Sequence, residues 1–151
     1  MIIKSLEHLS LISKQIANRV SKEDCIFLYG EIGTGKTTFA RCFINYIQNK
    51  EKVKKTEVLS PTFNLVYEYE IKTSKIMHYD LYRLKTNQEI KQLGIFEDEK
   101  KTIKIIEWPE LLKDGVGDKL EINFKYTKNE NERDINLLGH GKWKDFKIDA
   151  I

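Results

Sequence analysis

Leu9, Ile12, Ile16 and Val20 recur at spacings of three and four within residues 5–20, which lays them along one stripe of a helix. A polar turn, Ser21-Lys22-Glu23-Asp24, separates that helix from Cys25-Ile26-Phe27-Leu28-Tyr29. This unbroken apolar run is what a central strand shows when both of its faces are buried. Helical spacing returns in Phe39, Ala40, Phe43, Ile44 and Ile47, so the segment from Thr37 to Gln48 is predicted to pack back on that strand. After a charged linker over 49–57, Pro61 sets an extended entry. Residues 62–70 then alternate, with Phe63, Leu65, Tyr67 and Tyr69 on one face. Ile71 to Ser74 reads as a turn and Lys75 to Leu84 as a returning strand, which predicts an antiparallel hairpin over 62–84. On its second strand Ile76, His78, Asp80 and Tyr82 share a face.

The capping box Thr86-x-x-Glu89 opens another helix and Gly94 closes it. Thr102 to Trp108 reads as a strand stopped at Pro109, followed by a short helix through Leu111-Leu112 and a glycine turn at Asp114-Gly115-Val116-Gly117. Two last strands carry Leu120, Ile122, Phe124 and Tyr126, then, across a polar connector, Ile135 and Leu137. This order is that of an α/β fold in one domain over 1–151, its mixed sheet parallel at the centre and antiparallel toward the edges.

Composition narrows the class without setting the function. A chain that is 40% hydrophobic and 32% charged suits a soluble globular protein. No apolar stretch has the length of a membrane span, and the N-terminus lacks a signal peptide's apolar run, so a cytoplasmic protein without membrane contact is expected. The net charge of +3 suggests nucleic acid, but only four of the 26 basic residues are arginine and most lysines are scattered singly. A phosphate-gripping patch mixes arginine and aromatics, so a solvated lysine-rich surface is the better account. Cys25 and Cys42 form no C-x-x-C pair and read as core thiols of a reducing compartment.

Between the apolar strand and the second helix lies Gly30-Glu31-Ile32-Gly33-Thr34-Gly35-Lys36-Thr37, which fills every fixed position of G-x-x-x-x-G-K-[ST]. Glycines let the backbone curl so that its N–H groups form a concave anion nest. Lys36 supplies a mobile charge for β- and γ-phosphates, Thr37 offers a hydroxyl to Mg²⁺, and the following helix adds its positive end. Hydrolysis needs more: an acidic residue at a neighbouring strand end for the metal, and a group that orients water. Glu107 ends an apolar strand and Asp80 sits among aromatics; either could instead be a structural ion-pair partner. Thr62 could reach a γ-phosphate, although its spacing favours a bond to its own backbone. Pattern alone makes Trp108 core. His78 beside Asp80 finds no third metal ligand at usable spacing, and His8 and His140 are read as lacking acidic or Cys partners for a metal. The string Asn49-Lys50-Glu51-Lys52 lacks the Asp of a guanine motif, Asp114 to Gly117 does not follow a strand, and no lid-sized insertion or arginine cluster suggests a small-molecule kinase. ATP hydrolysis is favoured.

Together, Gly30 to Thr38, Ser60-Pro61-Thr62-Phe63-Asn64-Leu65-Val66, His78-Tyr79-Asp80-Leu81-Tyr82-Arg83-Leu84 and Ile106-Glu107-Trp108-Pro109-Glu110 closely resemble the TsaE (YjeE) family. Glu31 stands where that family usually has Asp, and Thr34 where it usually has Ala; residues 142–151 lie outside the resemblance. The resemblance implies a P-loop NTPase-like three-layer sandwich and a bacterial ATPase that supports threonylcarbamoyladenosine formation in tRNAs reading A-starting codons. It implies action with the TsaB–TsaD complex, which ATP binding or hydrolysis resets between turnovers, and contact with tRNA only through that complex. It also implies ATP and Mg²⁺ as cofactors. Thr37 and Glu107 would hold the metal; Lys36 with Gly30, Gly33, Thr34, Gly35 and Thr38 would hold the phosphates. Thr62 and Asp80 would serve the γ-phosphate, Trp108 would line the site, and the segment from Leu6 to Leu9 would lie by the adenine. With no evident arginine finger of its own, such an ATPase is expected to be weak alone and stimulated by its partner. A nucleotide-gated binding module with incidental hydrolysis is the alternative from another class, and a small-molecule kinase a third.

Overall fold

In the computed structural model, which describes residues 1–97, 101–112 and 117–151, the apolar run Cys25–Tyr29 is a middle strand of a seven-stranded sheet. In chain order the elements are β1 (Ile2–Ile3), α1 (Leu6–Arg19), β2 (Cys25–Tyr29), α2 (Lys36–Lys50), β3 (Val66–Glu70), β4 (Lys75–Asp80), α3 (Asn87–Gln92), β5 (Ile103–Glu107), β6 (Lys119–Tyr126) and β7 (Arg133–His140). The sheet order is β1-β7-β6-β2-β5-β4-β3. Strands β6, β2, β5 and β4 run parallel, while β3, β7 and β1 join antiparallel. The parallel centre and antiparallel edges are those expected from the order of periods in the sequence.

Helix α1 begins where Ser5 accepts the His8 amide, and it buries Leu9, Ile12 and Ile16. Its stripe packs on α2, and both cover one face of the sheet around Ile26, Leu28, Ile105 and Ile122. Phe39 lies 6.1 Å from both Phe43 and Phe124, ring centroid to ring centroid, so the helix after the glycine loop is anchored by aromatics. Emptying such a site to alanine costs about 3–5 kcal/mol. On the opposite face Cys25, Phe27, Met77, Tyr79 and Ile106 form a smaller core, covered by Ile90 of α3, by Leu93 just past its end and by Trp108. Thr86 caps α3 by accepting the Glu89 amide; Glu89 reaches back to the Lys85 amide, one residue before the partner a capping box specifies.

The structure corrects three sequence expectations here. The hairpin starts at Val66, because Leu65 adopts φ +67° and donates its amide to the Pro61 carbonyl at 2.7 Å, turning the chain. Phe63 is therefore 80% exposed and does not share a sheet face with Tyr69. The returning strand ends at Asp80, and Leu84 closes a turn onto the Leu81 carbonyl, leaving Tyr82 half-exposed. His140 does have an acidic neighbour: pairing of β6 with β7 sets its Nε2 3.2 Å from Glu121 Oε1. Strand β1, with two residues and no period to detect, went unrecognised; it pairs with β7 and is tied by the Met1 ammonium to Asp134 at 2.9 Å. Beyond β7, Trp143, Phe146 and Ile148 pack on the main core and Lys142 pairs with buried Asp24. Of the expected glycine turn, Asp114 to Val116 lie outside the described residues. No helix among the described residues is long and apolar enough to cross a membrane.

Candidate functional site

At the carboxyl ends of the parallel strands, β2 hands the chain to the glycine loop while β4 and β5 end on Asp80 and Glu107. This is where open α/β sheets bind ligands. Parallel register sets Asp80 opposite Glu107, and Glu107 opposite Leu28. The result is a cleft of about 320 Å³ bordered by the loop, Thr37, Ser60, Thr62, Tyr82 and Trp108.

The loop is held in its curled form from below. Gly30 has φ +142°, and a Cβ there would meet the Phe124 carbonyl at 2.6 Å. Gly33 has φ +78°, and its Cβ would meet the Tyr126 hydroxyl at 2.8 Å. That hydroxyl donates to the Ile32 carbonyl, and the Arg133 guanidinium lies 4.7 Å from the Tyr126 ring. Thr34 turns both its hydroxyl and its amide to the Glu31 carbonyl, closing the loop. Gly35 caps α2 without a side-chain acceptor, so the first amides of a fifteen-residue helix are left facing the cleft. Orphan N–H groups with the helix's positive end make an anion site.

Lys36 folds back over this nest. Its ammonium donates to the Gly30 carbonyl at 2.5 Å and the Glu31 carbonyl at 2.8 Å, and sits 4.3 Å from the Trp108 ring centroid. Burial lowers its pKa against the raising pull of Glu107, Asp80 and Glu110. Trp108 is half-buried and does both jobs: it packs on the smaller core, as its pattern suggests, and it walls the cleft, with φ +57° and its ring 4.8 Å from that of Tyr82. Bulky residues seldom adopt that conformation, and such strain gathers at functional sites.

Two hydroxyl–carboxylate pairs complete the floor. Thr37 Oγ1 donates to Glu107 Oε1 at 2.7 Å, and Thr62 Oγ1 donates to Asp80 Oδ2 at 2.9 Å. Thr62 also contacts Ser60 Oγ at 2.8 Å, so its hydroxyl engages side chains and not its own backbone as spacing alone favoured. Asp80 Oδ1 takes the Tyr82 amide at 3.0 Å. The other Glu107 oxygen, Oε2, lies 3.3 Å from Nε2 of His78, which is fully buried. Sequence reasoning set His78 aside as a metal ligand; its period-two partnership with Asp80 was the signal that it faces the same floor.

Of the residues predicted for the site, Gly33, Gly35, Lys36, Thr37, Thr38, Thr62, Asp80, Glu107 and Trp108 line this one cleft; Gly30 meets it only through its carbonyl, which takes the Lys36 ammonium, and Thr34 lines a second cleft. Residues missed from sequence are Ser60, Tyr82 and His78, together with Tyr126 and Arg133 on the far side of the loop. There, this second cleft of about 350 Å³ runs from Gly33 and Gly35 past Leu6 and Leu9 to Arg133, beside the segment expected near adenine.

The donor set fits Mg²⁺ with a nucleotide triphosphate. A threonine hydroxyl and a buried carboxylate in contact are hard oxygen donors at one point, next to free helix amides and an ammonium. Among the described residues no three His, Cys, Asp or Glu side chains cluster as a metal cage, so an ion here would take its remaining oxygens from water and phosphate.

The family model for threonylcarbamoyl adenosine biosynthesis protein TsaE matches residues 3–135. The tRNA threonylcarbamoyladenosine biosynthesis protein TsaE of Rickettsia conorii is 35% identical over 141 residues, 93% of this chain and 78% of that protein. Its namesake from Bacillus subtilis is 29% identical over 137 residues, 89% and 82% of the two chains. Among solved structures, the crystal structure of Bacillus subtilis YdiB superposes with a TM-score of 0.70 at 23% identity, covering 96% of this chain and 87% of that one, a likeness of fold.

Proposed function

The chain belongs to the TsaE family of tRNA threonylcarbamoyladenosine biosynthesis, and from that premise we propose that it is a Mg²⁺-dependent ATP hydrolase serving the TsaB–TsaD complex. The observation that carries the proposal is the 2.7 Å bond from Thr37 to Glu107, which joins the end of the phosphate loop to the end of β5. Together with the amides of α2, that pair gives phosphate oxygens and a divalent ion one place to meet.

Each residue then has a task. The loop amides and the start of α2 bind the phosphates. Lys36 exchanges the Gly30 and Glu31 carbonyls for β- and γ-phosphoryl oxygens, which compensates its partly desolvated charge better than two neutral carbonyls can. Thr37 and Glu107 hold Mg²⁺, which when bound neutralises charge on the transferring phosphoryl group. Asp80, fixed by the Tyr82 amide and the Thr62 hydroxyl, orients the attacking water. Thr62 sits on a turn outside the sheet, where it can exchange Asp80 for the γ-phosphate. Trp108 and Tyr82 wall the cleft.

Exposed Ile32 and Tyr82 line the cleft, and Phe63, exposed as well, follows the lining residue Thr62 in the chain. Apolar side chains there suit closure by a docked protein, and no arginine among the cleft-lining residues stabilises the transition state from within. We assign that closure to TsaB–TsaD, with ATP turnover resetting the complex and tRNA met only through it. In a reconstituted modification reaction with TsaB and TsaD, Lys36→Ala and Glu107→Ala are expected to abolish multiple turnover. A Glu107→Ala protein that binds ATP, cannot hydrolyse it and still sustains many turnovers would leave a nucleotide-gated binding module in place of an ATPase.

A further inference from the structure

The Glu107 carboxylate is only 1% exposed, so both oxygens need partners if it is to stay ionised. Thr37 supplies one, at Oε1. For Oε2 the hydrogen-bond partner is His78 Nε2, at 3.3 Å. The two side chains meet because β4 and β5 pair in parallel with Asp80 opposite Glu107 and His78 opposite Ile105, two positions earlier and so on the same face.

The imidazole's own bonding fixes its direction. An ionised carboxylate only accepts, so the proton of this contact must be on Nε2. The other ring nitrogen, Nδ1, is buried and has no hydrogen-bond partner among the described residues. A proton on Nδ1 would be an unpaired buried donor, the costlier arrangement, so the tautomer that suits this pocket donates from Nε2 to Glu107. His78 occupies the floor of the site yet lines no part of the cleft, and its fully buried ring cannot touch a nucleotide.

We propose that His78 is a positioning residue: it pins Glu107 Oε2 so that the plane of the carboxylate, and with it Oε1, is held toward Thr37 and the cleft. The inference rests on the reading of Thr37 and Glu107 as a Mg²⁺ site. Partners behind a metal-binding side chain contribute about 10–100-fold to metal affinity.

The test is calorimetric binding of a non-hydrolysable ATP analogue to the full-length protein, titrated with Mg²⁺ or measured in EDTA, for wild type, His78→Leu and His78→Gln. The leucine variant is expected to need about 10–100-fold more Mg²⁺ for half-maximal enhancement of binding while its affinity in EDTA is unchanged. Glutamine, whose side-chain N–H can stand where Nε2 stands, is expected to restore most of the loss. A leucine variant that melts lower but keeps the wild-type Mg²⁺ dependence reduces His78 to a structural residue and overturns the proposal. Should that variant not fold, imidazole ¹⁵N NMR of the wild type decides: the Nε2–H signal of His78 is expected to shift on adding Mg²⁺ to the analogue complex and not on adding analogue alone. An unmoved signal overturns the proposal. If wild type shows no Mg²⁺-dependent binding at all, the ATPase reading fails and the role of His78 falls with it.

Discussion

Thr37 and Glu107, 70 positions apart in sequence, are in hydrogen-bond contact at 2.7 Å. Their meeting follows from topology: β5 pairs in parallel beside β2, so its last residue ends level with the start of the phosphate loop. A hydroxyl with one proton given to a carboxylate keeps its lone pairs for a cation. Thr37→Val keeps the shape and removes that oxygen, and Thr37→Ser keeps the oxygen. On the proposed role the valine variant loses on the order of 100-fold in kcat, as when one preorganised electrostatic group is removed from a site, while serine stays near wild type. Steady-state ATP hydrolysis at saturating Mg²⁺ checks this.

Gly33 is limited twice, by φ +78° and by the Tyr126 hydroxyl 2.8 Å from where its Cβ would stand. Gly33→Ala is expected to cost about 1–2 kcal/mol of stability from backbone strain, and to weaken nucleotide binding by distorting the nest. Tyr126→Phe clears the hydroxyl. The double variant is therefore expected to be more stable than the two single losses add up to, with a coupling of at least about 0.5 kcal/mol. Denaturant unfolding of the four proteins measures it; strict additivity would mean that Tyr126 does not confine the loop.

Burial lowers the pKa of Lys36, and phosphate should raise it by satisfying the ammonium. The nucleotide-bound state then holds more protons than the free one, so affinity falls as pH rises through the lowered free-state pKa, below the ordinary 10.5. Phosphate itself, with a second pKa of about 6, is fully ionised by then. Calorimetry between pH 8 and 10 in buffers of different ionisation enthalpy should show net proton uptake on binding. Binding without uptake would contradict the role given to Lys36.

Cys25 is buried, and its thiol is pushed up to about 11 by burial. The folded-state pKa lies above the unfolded value of 9.0, so its contribution to stability is complete below pH 9 and is lost as pH rises toward 11. Two units amount to about 3 kcal/mol. Cys25→Ala should flatten that alkaline limb of the stability curve, read from urea unfolding at pH 8 and pH 11, whatever it costs in packing at neutral pH.

Much of this was legible in the sequence where two signals coincided. The change from strand run to helical spacing falls on the glycine loop itself, which located β2, the loop and α2. Asp80 and Glu107 stood out because a carboxylate within an apolar strand needs a reason. The missing parts depend on information that no local pattern holds. Two-residue β1 has no period, and the left-handed turn at Leu65 cannot be seen in an alternation that continues across it. His78 meets Glu107 only through the register of β4 on β5, and Tyr126 meets Ile32 only because β6 lies beside β2. The pattern of Trp108 shows its packing on the smaller core but not its second place at the cleft wall, which comes with a φ of +57°.

On the proposed function this cleft hydrolyses ATP and docked TsaB–TsaD completes it. The most direct measurement is ATP turnover by the wild type and by Glu107→Gln with Mg²⁺, each with and without TsaB–TsaD. Slow turnover by the wild type alone, marked stimulation by the complex, and no turnover by Glu107→Gln in either condition, although it still binds nucleotide, are expected. A wild type that hydrolyses no ATP even with the complex, or a Glu107→Gln variant as fast as wild type, would contradict the proposed function.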